Sequence, residues 1–149
     1  MADIELTQIE ADALIALPKV KVDNNTYDYP GTGGSLIVSL TSQDKRESFL
    51  LDISRGRIEL RKGKYQMRGH QIIVLARLDF GGPPHRNPDG VDIPCPHLHL
   101  YREGFGDKWA VPVPADRFPN LGDLWQTLVD FMGYCNVVDP PDIQRGLYV

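Results

Sequence analysis

The spacing of hydrophobic positions changes along the chain, and each change predicts an element. Ile9, Ala13, Leu14 and Leu17 recur at three- and four-residue steps, the spacing of one face of a helix. Thr7-Gln8-Ile9-Glu10 in front of them fits a capping box, in which Thr7 accepts from the third amide and Glu10 reaches back to the Thr7 N–H. Pro18 ends the pattern, because the residue before a proline is pushed out of the α region. A short helix is therefore expected from Gln8 to Ala16. From Thr26 onward the period drops to two. Thr26–Tyr29, Ser35–Thr41 and Ser48–Ile53 read as strands, with a turn at Pro30–Gly34 and a polar connection at Ser42–Glu47. Arg57 to Arg61 alternates strictly, as a half-buried strand should, and Gly63 and Gly69 punctuate the next stretch of chain. Gln71–Phe80 is the strongest strand, with Ile72, Ile73, Val74 and Leu75 expected to be buried on both faces. A long Pro- and Gly-rich loop, Gly81–Pro94, precedes strands at His97–Tyr101 and Lys108–Val113, the latter at an edge because of Pro112 and Pro114. The helical period then returns. Asn120 is the expected cap and Asp123 sits in the first turn, with Leu121, Leu124, Leu128, Phe131, Met132 and Cys135 as a stripe against the sheet. The tail from Asp139 reads as extended and loosely held.

This order predicts an α+β fold: a curved antiparallel sheet of five to seven strands, flanked by an N-terminal and a C-terminal helix. With 149 residues and no internal repeat or linker, residues 1–149 form one domain, large enough to bury a core without staples. There is no apolar run of bilayer length. Met1-Ala2-Asp3-Ile4-Glu5 lacks the basic-then-apolar order of a signal peptide. The expectation is a cytoplasmic protein with no membrane partner, in which Cys95 and Cys135 are free thiols.

Charge changes this picture locally. The chain carries a formal net charge of −4. Between Lys45 and Arg68, eight basic residues face three acidic ones, a net +5 that leaves −9 for the rest. Such a segment, which includes Arg57, Arg61, Lys62 and Lys64, is either a footprint for nucleic acid or an acidic partner, or simply the solvated face of strands.

The chemistry concentrates between Arg77 and Trp109. Three of the four histidines, His85, His97 and His99, lie there with Arg77, Asp79, Asp89, Tyr101, Arg102 and Lys108. Residues two apart on a strand share a face, so His97, His99 and Tyr101 should point one way and Leu98 and Leu100 into the core. His85 or Asp89 should stand at the rim. Asn87-Pro88-Asp89-Gly90 is a turn signal in its own right. Three uses fit. A histidine pair can serve as acid and base on a phosphodiester, with Arg77, Arg102 or Lys108 holding charge. His97 and His99 can ligate a metal with His85, Cys95 or a loop aspartate. The histidines can also simply bond loop carbonyls and hold the prolines in place. Counted along the sequence, only two ligands are sharp, so the expectation is no metal and no cofactor. His70 stands alone and is assigned no role.

Arg77-Leu-Asp79, Gly-Pro-Pro-His85-x-Asn-Pro-Asp-Gly90 and Pro-Cys-Pro-His97-Leu-His99-Leu-Tyr-Arg-Glu-Gly-x-Gly-Asp-Lys-Trp109 together resemble a bacterial family of proteins of this length with no assigned function, from Leu6-Thr7 to Pro-Pro141. More distantly, an Arg-x-Asp strand followed by a Pro-His-x-His strand is similar to small toxins of toxin–antitoxin pairs, some suspected to act on RNA. What the resemblance implies is a toxin-like, RNA-directed protein, a metal-independent ribonuclease with His97, His99, His85 and Tyr101 at its centre. Arg77, Arg102, Lys108 and the Arg57, Arg61, Lys62, Lys64 segment would contact phosphate, with RNA and a cognate antitoxin as partners. Genes of this kind often sit on phages and plasmids. The alternative expectation is therefore a non-enzymatic, anti-defence inhibitor of a bacterial defence protein complex.

Overall fold

The computed structural model of the protein describes residues 5–58 and 61–146. The first helix, α1 (Gln8–Ala16), has the expected bounds and a complete capping box between Thr7 and Glu10. Twelve strands are present among the described residues: β1 (Lys19–Lys21), β2 (Thr26–Asp28), β3 (Ser35–Ser42), β4 (Ser48–Arg55), β5 (Gly63–Gly69), β6 (Ile73–Phe80), β7 (His85–Arg86), β8 (Asp92–Ile93), β9 (His97–Leu100), β10 (Ala110–Pro112), β11 (Val137–Asp139) and β12 (Asp142–Gln144). The second helix, α2 (Leu124–Tyr134), lies between β10 and β11.

Eight strands form one sheet in the order β10-β9-β6-β5-β4-β3-β1-β11. Every neighbouring pair is antiparallel except β1–β11, which is parallel. The α+β class holds, but the sheet is larger than the expected five to seven strands. The three-residue strands β1 and β11 extend one edge, and they are too short to show a period. β2 leaves the main sheet and pairs in parallel with β12, so the tail is docked through this pair, with Ile143 buried.

Along β4 and β5 the alternation is strict. Phe49, Leu51 and Ile53 on β4, Tyr65 and Met67 on β5, Leu78 on β6 and Leu98 on β9 are fully buried against both helices in one core. The helices cover only this face, which corrects the expectation for Gln71–Phe80. Ile72 is 61% exposed, and β6 is amphipathic, carrying Arg77 and Asp79 on the open face. At the start of β6 the register shifts, so Leu75 and Ala76 are both buried.

Three further expectations are corrected. The strand expected from Arg57 to Arg61 is absent from its described residues: Arg57 and Ile58 lie in a bend, Ile58 is 94% exposed and Arg61 lies in a turn, while Glu59 and Leu60 lie outside the described residues. Among the described residues no strand pairs with Arg57, Ile58 or Arg61, whereas Gly63–Gly69 lies between β4 and β6 and pairs with both. In α1 the buried face is Ala11 and Leu14, and Ile9 is 83% exposed. The N-cap of α2 is Asp123, whose carboxylate accepts from Gln126 N, and not Asn120, whose carbonyl instead accepts from Asp123 N and the Thr127 hydroxyl.

Lys19 was not singled out by sequence. It is completely buried, and its ammonium donates to three carbonyls: Ile15 O at 2.8 Å, Leu17 O at 2.9 Å and Cys135 O at 2.7 Å. These belong to the last turn of α1, its C-cap and the C-cap of α2. A positive charge at two helix C-termini complements the carbonyls that helix ends leave unpaired.

Candidate functional site

β6 and β9 are neighbours, with Arg77 opposite His99 and Asp79 opposite His97. Directly opposite residues of an antiparallel pair project to the same side. All four side chains therefore meet on the face turned away from the helices. The segment between β6 and β9 folds back over them as the β7–β8 hairpin, closed by the Asn87–Gly90 turn. Gly81 makes the exit from β6 possible: its φ is 72°, and a Cβ there would stand 2.7 Å from the Arg61 carbonyl oxygen and the Lys62 Cα.

The hairpin carries His85 over the cluster. Its ring centroid lies 4.5 Å from that of His99 and 5.8 Å from that of His97, and the latter two are 5.0 Å apart. The hairpin is held by Asn87, which is buried and binds both backbone groups of Ala110, donating to its carbonyl at 2.9 Å and accepting from its N–H at 2.8 Å. The Asn87 amide thus stands in for a further strand at the edge of β10. Asn87→Ala should orphan both buried groups and cost about 2 kcal/mol. Urea denaturation and amide exchange at Ala110 check this, and an Ala110 amide protected as in the parent would sink it.

Hydrogen bonds fix the Nδ1 side of both buried imidazoles. His99 Nδ1 donates to Asp107 O at 2.8 Å and His97 Nδ1 to Pro94 O at 3.3 Å, since a carbonyl can only accept. Both Nε2 atoms then face Asp79, each 3.4 Å from its Oδ2. Arg77 completes the group. Its Nε donates to Asp79 Oδ1 at 2.9 Å and its Nη1 to Asp107 Oδ2 at 2.7 Å, while Nη2 lies 3.0 Å from His99 Nε2. Burial pushes the Asp79 carboxyl up, but the hydrogen bond from His99 and the charge and hydrogen bonds of Arg77 outweigh it and hold the group at about 2. Burial lowers His97, against the nearby Asp79 charge.

The expected site is thus partly assembled. His97 and His99 are 3% and 1% exposed, but they lie under the hairpin and not in the apolar core. His85 stands at the rim, half-buried, with its Nε2 donating to Lys108 O at 2.7 Å. Asp89 does not approach the cluster; it accepts from Val91 N at the exposed hairpin tip. Tyr101 is elsewhere. Its hydroxyl donates to Leu6 O and accepts from Leu6 N, and its ring belongs to the core, because β9 ends at Leu100 and the shared parity ends with it. Arg77 is engaged by two carboxylates and is not free for phosphate. Arg102 lies over the Trp109 ring at 4.1 Å, in the turn after β9. Lys108 is exposed beside the site.

The basic segment is divided by its own hairpins. Lys45 and Arg46 lie in the turn before β4, and Arg57, Arg61 and Lys62 in the turn after it, separated by about 26 Å of strand. Arg68 is tied to both oxygens of Asp52. Lys62 is packed beside Gly81 and Gly82, and Lys64 lies opposite Asp79, so these two exposed lysines flank the hairpin. His70 faces Glu47 at 3.2 Å in the β5–β6 turn, away from the cluster.

Asp79, Asp107 and Asn87 are the residues that spacing missed as site members. Asp79 had a signal, since Arg77-x-Asp79 shares a face by period two. Asp107 and Asn87 had none, because each reaches its partner across a turn or a strand edge.

Among the described residues no helix is long and apolar enough to cross a membrane. No curated protein and no solved structure matches this chain. A family model does match it, over residues 6–137, and the chain belongs to that family of unknown function, DUF6978.

Proposed function

We propose that the protein cleaves a phosphodiester of RNA at the cluster beneath the β7–β8 hairpin. The observation that carries this is His85. It is half-buried at the rim, its Nε2 is committed to Lys108 O, and among the described residues its Nδ1 has no hydrogen-bond partner. An imidazole with one nitrogen fixed and the other open is placed to accept a proton from a bound substrate. Exposed Lys62, Lys64 and Lys108 around it supply the charge that an anionic backbone needs. That the anion is RNA rests on the likeness to toxins. His97 and His99 differ from the expected acid–base pair, because both are buried and each has one nitrogen tied to a carbonyl; in this reading they form the floor and His85 moves the proton.

The test is growth and cleavage. Expression in a bacterial host should arrest growth, and the purified chain should cut single-stranded RNA. His85→Ala should slow cleavage about 100-fold or more and relieve the arrest. If the unsubstituted chain leaves RNA intact, the proposal is wrong.

A second reading has its own observation. The open face carries Val22, Ile37 and Ile72 at 49%, 57% and 61% exposure, on a protein of net charge −4. Exposed apolar side chains on an open sheet suit a non-enzymatic binder, such as an inhibitor of a bacterial defence protein. Capture of such a protein, lost in Ile37→Asp and kept in His85→Ala, would favour it.

A further inference from the structure

We infer that Asp79, His97 and His99 form a binding site for a divalent first-row transition-metal ion, with zinc as the best fit.

Three observations converge. The first is the donor set. One oxygen of Asp79 and the Nε2 atoms of His97 and His99 lie within 4.8 Å of one another, which makes two imidazoles and one carboxylate on a single sheet face. Such a set with open positions suits zinc, and also iron or manganese. Ligands about 2.1 Å from a tetrahedral zinc are about 3.4 Å apart, and each Nε2 lies 3.4 Å from Asp79 Oδ2.

The second is the tautomers. Both Nδ1 atoms donate to backbone carbonyls, Pro94 O and Asp107 O. This is the outer arrangement that orients metal-binding histidines, and it turns both Nε2 atoms toward Asp79 Oδ2. Arg77 Nη2 stands at the same point, 3.0 Å from His99 Nε2 and donating to Asp79 Oδ2 at 3.3 Å, so a positively charged group already sits between these ligands.

The third is charge. Arg77 contributes one positive charge against the two negative charges of Asp79 and Asp107. The floor of the cluster therefore has an excess of carboxylate charge that a cation would balance. An ion at the common point would satisfy both Nε2 atoms and take over the Nη2 contact, while Arg77 keeps Asp107 through Nη1. The spacing-based expectation of no metal looked for a third ligand in the loop or beside the same strand; the third ligand comes from the neighbouring one. His85, over the ring of His99, would stand beside the open coordination positions.

The inference rests on coordination chemistry and does not require RNA cleavage. The full chain, stripped with a chelator and dialysed, is titrated with zinc by calorimetry and with cobalt(II) by visible absorption. One equivalent is expected to bind, cobalt giving the d–d bands of a nitrogen- and oxygen-ligated ion, with zinc raising the melting temperature. Asp79→Asn and His97→Ala/His99→Ala should each weaken binding at least 100-fold, with folding followed by circular dichroism. The unsubstituted chain alone is decisive if a variant fails to fold: no saturable binding, or a cobalt spectrum without those bands, overturns the site. Folded variants that bind like the parent overturn it too. Ion binding without RNA cleavage removes the proposed activity and leaves the site; cleavage by a chain that binds no ion does the reverse.

Discussion

Lys19→Met is expected to destabilise the protein by about 4 kcal/mol. Methionine keeps the length and apolar character of the stem but cannot donate. It would leave Ile15 O, Leu17 O and Cys135 O without their shared partner, and each buried carbonyl left unsatisfied costs about 1–3 kcal/mol. Lys19 also lies 4.7 Å from the centre of the Phe49 ring, a cation–π contact that the substitution removes. Against a total stability of about 5–15 kcal/mol, the loss leaves a marginal fold. The two helix ends and β1 meet at this one ammonium, so α1 and α2 should loosen together. Urea denaturation gives the magnitude, and a midpoint within error of the parent would show that water replaces the ammonium without cost. There is a pH signature as well. Burial lowers Lys19 from 10.5 to about 8. Between those values the unfolded chain binds more protons than the folded one, so the parent gains stability as pH rises through that window. Lys19→Met should not.

The second large effect is at Asp79. Asp79→Asn keeps the shape but removes the charge that Arg77, His97 and His99 all face, and breaking a buried pair from one side costs about 3 kcal/mol or more. The acid limb separates the charge from the packing. The folded carboxyl is held at about 2, against an ordinary value of 3.8. The unfolded chain therefore binds more protons in between, and the contribution, about 2 kcal/mol at 1.36 kcal/mol per pKa unit, is complete above pH 4 and lost as pH falls toward 2. His97 acts earlier and in the same direction. Its folded pKa lies below 6.5, so its neutral form loses ground as pH falls below that value. The parent should thus weaken in two stages on acidification, and Asp79→Asn should lack the lower one. Denaturation midpoints from pH 7 to pH 2 measure this; parallel parent and variant curves below pH 4 would show that Asp79 is not held ionised.

Much of the frame was legible in the sequence because it depends on local rules. The capping box at Thr7 and Glu10 and the proline after Leu17 bound α1 correctly, since both act within one turn. The strands expected at Ser35–Thr41 and Ser48–Ile53, and that at His97–Tyr101 as far as Leu100, were found by a period that depends only on neighbours in the chain. The same logic placed His97 and His99 together on one face. It failed where a pattern needs a partner to mean anything. Arg57 to Arg61 alternates as well as any strand, yet only Gly63–Gly69 has neighbours on both sides. Ile9 keeps helical spacing with Leu14, but the sheet meets the helix at Ala11 and Leu14.

Local chemistry in the sequence, then, determined the class of fold, the first helix, most central strands and the histidine-rich region. Tertiary structure alone decided which sheet face is open, that His85 folds back over His97 and His99, that Tyr101 turns into the core, and that Asp79 completes the cluster. Backbone period is a property of neighbours in the chain. A site is a property of neighbours in space: Arg77 and His99 are 22 positions apart and touch because β6 and β9 pair, and the contact becomes part of a site only where the hairpin folds back over it.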